Sequence, residues 1–415
     1  MIWFLIGYMW LYIHRPFEVW PWLGELRIEL AFMLLTILAW CIAQKRMVVN
    51  RLNLAFVAFV SLVLLSWIAS SVMEAGTTTV ENYLKVFVFY IILVTTVHRE
   101  EDLKKVVGAF LVIMGLYMTH SFWEYVNGRH VYRMGIARMV GVDQTYNQPN
   151  SFAASIVYAL PMVIPFWYQN AKKWVRPALV GYVVLSVTCI LLTGSRTGFV
   201  GLLAAGAFLI LTSRQRIKFL FFLALISPLI WVSLPEGKQD RILSIFDTNV
   251  GPANAQASAN NRWIYFERCL ELWPERPILG HGPQSFSVVS VISNQQAHTL
   301  YGQLIAENGT LGVVAFLGIL ACFSLNAWEI RDHYRGIQSE KDEFLFLLSR
   351  SILFSVFLLL LLGLGGHNLY RYNWLWFGAF QAIALYCVRH STEQSLATQS
   401  PVYWNPQFES GRSLG

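Results

Sequence analysis

The sequence predicts an all-α, polytopic membrane protein of about twelve transmembrane helices, with one long loop on the outer side that contains an amphipathic helix. Three observations predict it. Of 415 residues, 56% are hydrophobic and only 13% are charged. The apolar residues come in continuous blocks long enough to span a bilayer rather than at the spacing of a soluble amphipathic helix. The basic residues of the short loops gather in alternate connections, as the positive-inside rule requires.

The blocks run over residues 1–13, 28–44, 54–72, 86–97, 106–127, 151–168, 177–194, 197–212, 219–234, 299–328, 351–366 and 374–388. The first, MIWFLIGYMWLYI, has neither a basic region before it nor a small-residue cleavage site after it, so it reads as a retained span rather than a signal peptide. Lys45, Arg46 and Arg51 follow the second block; Arg99, Lys104 and Lys105 the fourth; Lys172, Lys173 and Arg176 the sixth; Arg214, Arg216 and Lys218 the eighth; Arg331, Arg335 and Lys341 the tenth. These loops are therefore expected in the cytoplasm, with both termini. Sixteen Trp, eighteen Tyr and twenty-eight Phe suit the aromatic belts of membrane helices.

The expected organisation is nine spans over 1–234, an outer loop over 235–298, three spans over 299–390, and a polar, disordered cytoplasmic tail over 391–415 that contains Pro401 and Pro406. Of the five cysteines, only Cys269 falls in an aqueous loop, and no metal-ligand spacing is present, so neither a disulfide framework nor a metal site is expected.

Among the basic residues of the outer side, only Lys85 and Lys238 are lysines. An arginine presents a planar fork that grips phosphate in two places, whereas lysine is a point charge, so this mouth suits a phosphate or pyrophosphate. LLTGSRTGFVG, residues 191–201, sets Arg196 between two apolar blocks, with Gly194 and Gly198 allowing a tight turn; a snorkelling hairpin residue is the plainer alternative. In the long loop, ASANNRWIYFERCLELWPERPILGHGPQSF predicts a helix capped by Asn260 or Asn261, with an apolar stripe of Trp263, Phe266, Leu270 and Trp273 that suits a helix lying along the membrane or against the bundle, ended by Pro274 and Pro277. That start places Arg262 in the first turn, where an anion is already favoured; pairing with Glu267 or Glu271 is the structural alternative. His298 opens the tenth block and could accept a proton from a hydroxyl near neutral pH, with His281 and His367 as rivals of turn or interface type.

His298-Thr299, followed by Gly309-Thr310-Leu311-Gly312, resembles the His-x10-Gly-x-x-Gly signature of the bacterial O-antigen ligase and polymerase superfamily. GSRTG between two helices, NNRWIYFERCLELWPERPILGHGPQSF in the long loop and QPNSFAAS opening the sixth span carry the likeness over about residues 140–330. The resemblance implies a GT-C-like glycosyltransferase of the inner (plasma) membrane. Such an enzyme moves a glycan from undecaprenyl pyrophosphate to an acceptor hydroxyl on the periplasmic side, inverting the anomeric carbon without a metal or other cofactor.

The resemblance further implies His298 as the base, with Arg196 and Arg262, helped by Arg138, on the pyrophosphate. Thr299 stands where the ligases commonly carry Asn, Ser or Gln. The likeness favours a ligase, with lipid A core as acceptor; a polymerase or a protein O-oligosaccharyltransferase would share the donor. Gly309 and Gly312 are expected to admit a neighbouring helix or lipid chain. A transporter is the remote alternative, disfavoured because the arginines collect at one face and no repeated halves are evident.

Overall fold

A computed structural model describes residues 1–43, 46–133, 136–143, 147–169, 173–212, 216–244, 253–292, 295–335 and 343–399. Arg133 and Lys45, Lys172, Arg214 and Lys341 of the sequence reading have side chains or positions outside the described residues. The chain opens with α1 (Ile2–His14), two short turns α2 (Pro16–Val19) and α3 (Pro21–Glu25), then α4 (Ile28–Ile42), α5 (Arg51–Ile68), α6 (Met73–Thr96) and α7 (Glu100–Val126). A small antiparallel hairpin, β1 (Val131–Arg133) with β2 (Ile136–Arg138), is an addition to the expected all-α fold. Next come α8 (Pro149–Ala159), a 3-10 turn, α9 (Val163–Tyr168), α10 (Val175–Thr193), α11 (Arg196–Thr212), α12 (Arg216–Ser233), α13 (Glu236–Leu243) and α14 (Ala253–Leu272). After a second 3-10 turn and α15 (Phe286–Val289), the chain closes with α16 (Leu300–Tyr334), α17 (Phe344–Gly363) and α18 (Tyr372–Gln399).

Helix covers every one of the apolar blocks, because an apolar segment in lipid must satisfy its backbone internally. Among the described residues, α5, α6, α7, the α8–α9 unit, α10, α16 and α17 are the seven long and apolar enough to cross a membrane; Ile28–Ile42 and Arg196–Leu211 are apolar but shorter. α6 begins at Met73, well before the expected 86, so its polar first turns, which hydropathy excluded from a span, are helical. α18 continues to Gln399, past the expected start of the tail, as a helix nucleated in a buried segment readily propagates; residues 400–415 lie outside the described residues.

The core is aromatic. Trp376 packs against Phe89 and Phe110, and Trp374 against Phe316, all within an extended buried cluster. Without a hydrophobic force between helices in lipid, such close contacts supply the association energy.

α16 is the central element, packed on α5, α14, α17 and α18, and it is broken. Gly309 has φ 62° and ψ −165°, a conformation essentially reserved for glycine. The break is filled by the backbone of residues 277–282. Thr310 N donates to Pro277 O at 2.8 Å and Leu311 N to Ile278 O at 3.2 Å, while His281 N and Gly282 N donate to Ala306 O and Glu307 O at 2.8 and 2.9 Å. A Cβ on Gly309 would stand 2.6 Å from Gly280 N and Ile278 O. The expectation of a neighbouring helix at the two glycines is thus corrected: a loop backbone enters at Gly309, and Gly312 makes room for Asn308 of its own helix.

Gly309→Ala is expected to cost at least about 2 kcal/mol, since the backbone conformation is strained for any L side chain and the colliding atoms are main chain. Gly318→Ala, where an added Cβ meets nothing within 4 Å, serves as control and should be neutral. Thermal unfolding of the two purified variants in detergent, side by side, measures the difference.

Candidate active site

The site is built at the end of the bundle where α1, α6, α10–α11, α13–α14 and α17–α18 meet the loops before α16. Its first part is the turn between α10 and α11. Gly194 caps α10 in the left-handed region, φ 57°, and Ser195 Oγ accepts from Gly198 N at 3.1 Å, so that Arg196 starts α11 half-buried.

Behind this turn lie three buried cations. Arg138 Nε donates to Thr193 O at 2.7 Å and its Nη2 to Asn150 Oδ1 at 2.9 Å. Arg241 Nε donates to Gly194 O at 3.0 Å. These are the last carbonyls of α10, left without helical partners at the negative end of the helix dipole, and cations satisfy both needs. Lys238, only 2% exposed, donates to Tyr125 Oη at 3.2 Å. Met139 N, next to Arg138, donates to Leu192 O at 3.1 Å, which fastens the hairpin to the same helix end.

The second part is α14, where the structure corrects the sequence reading. The helix starts at Ala253, not at an Asn260 or Asn261 cap, because the Ala-, Gln- and Asn-rich run before Arg262 is itself helical. Arg262 is therefore mid-helix, and the argument from first-turn amides does not apply to it. The buried stripe is Tyr265, Cys269 and Leu272, while Trp263, Leu270 and Trp273 of the expected stripe are exposed. Cys269, expected in water, is fully buried against Gly302. Glu271 pairs with Arg268 at 2.9 Å, and no ion pair of Arg262 is found among the described residues. A Cβ on Gly365 would stand 3.0 Å from Arg262 Nη1 and 3.6 Å from Thr197 Oγ1, so this guanidinium lies beside the first turn of α11. Burial, and then the charge of Arg196, lower the pKa of Arg262, a bias that an anion between the two would relieve.

The third part is His298. It takes a left-handed backbone, φ 52°, uncommon for a residue with a Cβ and a form of strain that clusters at functional sites. Thr299 follows as the N-cap of α16, its Oγ1 accepting from Gly302 N at 2.9 Å; the threonine hydroxyl serves the helix. The His298 ring lies between Tyr265, at 6.0 Å between centroids, and His367, at 5.4 Å. His298 Nε2 is 3.2 Å from Gln295 Oε1, and when Nε2 carries the proton to that oxygen, Nδ1 holds the lone pair. Burial above all, with His298 and Arg371 beside it, brings His367 down to about 3, so it stays neutral.

One loop, residues 364–371, ties the parts together: Gly365 touches Arg262, His367 touches His298, and Tyr370 donates to Glu307 Oε2 at 3.0 Å at the break in α16. Beyond His367 lies a cavity of about 190 Å³, with Arg15, Gln303, Tyr370 and Arg371 in its wall. Arg262 thus lies near Arg196, and the loop residue beside His298 is two positions from the one beside Arg262, whereas Arg138 sits behind the turn with donors engaged on protein oxygens. His281 is a structural residue, its Nε2 3.0 Å from Leu272 O. Arg371, Lys238 and Arg241 were not among the expected site residues, and His367 stood only as a rival to His298; the outer-side arginine bias was the signal that could have found Arg371 and Arg241.

A family model described as O-antigen ligase matches residues 181–317. The matched stretch takes in Arg196, Arg262, His298, Gly309 and Gly312 and stops before the 364–371 loop. The match supports placing the chain in the O-antigen ligase and polymerase superfamily, and with it a ligase- or polymerase-type activity in the membrane. A comparison with curated proteins found no match.

Lys238 yields a pH-dependent prediction. Burial, then the nearby Arg138, lower its pKa from 10.5 to about 8. At pH 7 both folded and unfolded chains hold the proton, and the folded form carries a penalty on the order of 3 kcal/mol. Between about pH 8 and 10.5 the folded chain has released that proton while the unfolded chain keeps it, so stability rises with pH. Lys238→Met should therefore unfold at a higher temperature than the parent at pH 7, with the gap closing as pH passes 10, followed by scanning fluorimetry across that range.

Proposed function

We propose that this protein transfers a glycan from undecaprenyl pyrophosphate to an acceptor hydroxyl at the periplasmic face of the bacterial inner membrane, as an inverting enzyme that needs no metal. The observation that carries the reading is the sharing of one loop by both halves of the chemistry: Arg262 lies against Gly365, next to the start of α11 at Arg196, and His298 lies against His367 two residues further on. The O-antigen ligase match over the same residues supports it.

Each group has a defined task. Arg196 and Arg262 bind the two phosphates of the donor; as the glycosidic C–O bond breaks, negative charge grows on the departing pyrophosphate, and preplaced guanidinium groups in a half-buried site stabilise it there. This is work that a divalent cation does in many other transferases. His298, neutral, takes the proton of the acceptor hydroxyl as its oxygen attacks the anomeric carbon from the side opposite the leaving group. The neutral His367 beside it adds no competing charge. Arg138, with Arg241, holds the end of α10 so that the turn presents Arg196. The acceptor assigned to this chemistry is lipid A core, which makes the enzyme a ligase; a second lipid-linked repeat unit as acceptor would make it a polymerase, and a Ser or Thr of a protein an oligosaccharyltransferase.

In a reconstituted assay with a lipid-linked glycan donor, His298→Ala should lower transfer by about 10²–10⁴-fold, and Arg196→Ala or Arg262→Ala by about 10²–10³-fold. Arg262→Lys should remain impaired, since a point charge does not reproduce the fork. All three alanine variants retaining full transfer at parental expression would refute the reading. Chain growth in the absence of lipid A core would reassign the acceptor.

A further inference from the structure

The cavity beyond His367 has a chemistry of its own. Its wall includes two guanidinium groups, Arg15 from the end of α1 and Arg371 from the 364–371 loop, the amides of Asn82 and Gln303, the hydroxyl of Thr79, and the Tyr372 ring. Among the described residues, no carboxylate lines it. Glu18 engages Arg15 through Nη1 at 2.5 Å, which orients the guanidinium and leaves the rest of its five donors for other acceptors. His367 Nδ1 is buried with no hydrogen-bond partner among the described residues. The space is equivalent to on the order of ten waters, room for a single sugar ring.

Its position follows the direction of the reaction. Along the 364–371 loop the order is Arg262 at Gly365, His298 at His367, then the cavity at Tyr370 and Arg371. In an inverting displacement the attacking hydroxyl and the leaving pyrophosphate lie on opposite sides of the anomeric carbon. With the leaving group at the arginine pair and the base next along the loop, the cavity lies where the acceptor must enter. Amides and hydroxyls that read sugar hydroxyls, an aromatic face for a ring, and paired guanidiniums define the ligand further: a planar fork takes two oxygens of one anion.

We propose that this cavity is the acceptor subsite and that it selects a sugar carrying a phosphate or carboxylate substituent, held by Arg371 and Arg15. The inference rests on the proposed transferase reading and names its acceptor class. In it, Arg371 is a specificity-determining residue, and Asn82 and Gln303 align the ring so that one hydroxyl reaches His298.

The test is direct binding to the full chain in lipid nanodiscs, by titration calorimetry or saturation-transfer NMR, with methyl α-D-glucopyranoside 6-phosphate, methyl α-D-glucopyranoside and inorganic phosphate as probes. The phosphorylated sugar should bind at least tenfold more tightly than either the neutral sugar or phosphate alone. Arg371→Gln should erase that preference, Asn82→Leu should weaken both sugars, and Arg262→Ala should leave the preference in place. Equal binding of the two sugars overturns the proposal, and so does a phosphate probe that binds as well as the sugar phosphate. Loss of the preference in Arg262→Ala with its retention in Arg371→Gln would place the anion at the arginine pair instead and equally overturn it. In the transfer assay, Arg371→Gln should raise the acceptor KM at least tenfold with the donor KM unchanged. Full transfer by the His298 and Arg262 alanine variants would defeat the transferase reading, while the binding preference would still report on the cavity.

Discussion

The arrangement depends on the break in α16. A helix interrupted within an apolar bundle exposes N–H and C=O groups that have no water to turn to, and each must find a protein partner. Gly309 opens the helix, and residues 277–282 close the gap with their own backbone, so two irregular segments satisfy one another. Ser66 of α5 adds its hydroxyl, 2.6 Å from the carbonyls of both Leu279 and Glu307. Arg262, His298 and the 364–371 loop are all hung from this junction. α14 runs into it through the Trp273–Glu275 turn, which sets the height of Arg262. His298 heads the upper half of α16, and Tyr370 ties the 364–371 loop to Glu307 and Asn308 on the lip of the gap.

The second theme is the handling of positive charge. Arg138, Arg241 and Lys238 are nearly inaccessible, and such groups are costly unless given oxygen partners. Two of them occupy the unsatisfied carbonyls at the end of α10, which turns a liability into a clamp on the turn before Arg196. The two cations of the proposed pyrophosphate site are held differently. Arg262 lies beside Gly365, has no ion pair among the described residues, and feels the charge of another guanidinium, Arg196. In the proposed reaction, a bound diphosphate would offset the repulsion between these two guanidinium groups.

Much of the helical architecture was legible because hydropathy and charge read directly on lipid. The positions of Arg196 and His298 at helix starts were legible for the same reason: both stand at sharp edges between apolar block and turn. What failed did so where lipid is not the arbiter. The start of α6 is polar, since Thr79 and Asn82 face a cavity, and a hydropathy profile cuts such turns off the span. In α14 both faces are apolar, so the pattern left open whether Trp263–Phe266–Leu270–Trp273 lay along the membrane or against the bundle; the bundle takes Tyr265, Cys269 and Leu272 instead. Arg371 and Arg15 are close only because α1 and the last loop meet in space, a contact across most of the chain that no local pattern encodes. The loop backbone that fills the gap at Gly309 was equally invisible, because main-chain pairing leaves little trace in side-chain identity.

The exposed apolar face of α14, with Trp263, Ile264, Leu270 and Trp273, carries a mechanical consequence. A surface of that type beside loops seeks the boundary between headgroups and acyl chains and resists displacement from it. Since Arg262 belongs to the same rigid rod, its altitude is coupled to hydrophobic thickness: a bilayer a few ångströms thicker or thinner would tilt the rod against a bundle anchored at Gly309. For the proposed glycan transfer, turnover would then vary with acyl-chain length, making the surrounding lipid a determinant of rate.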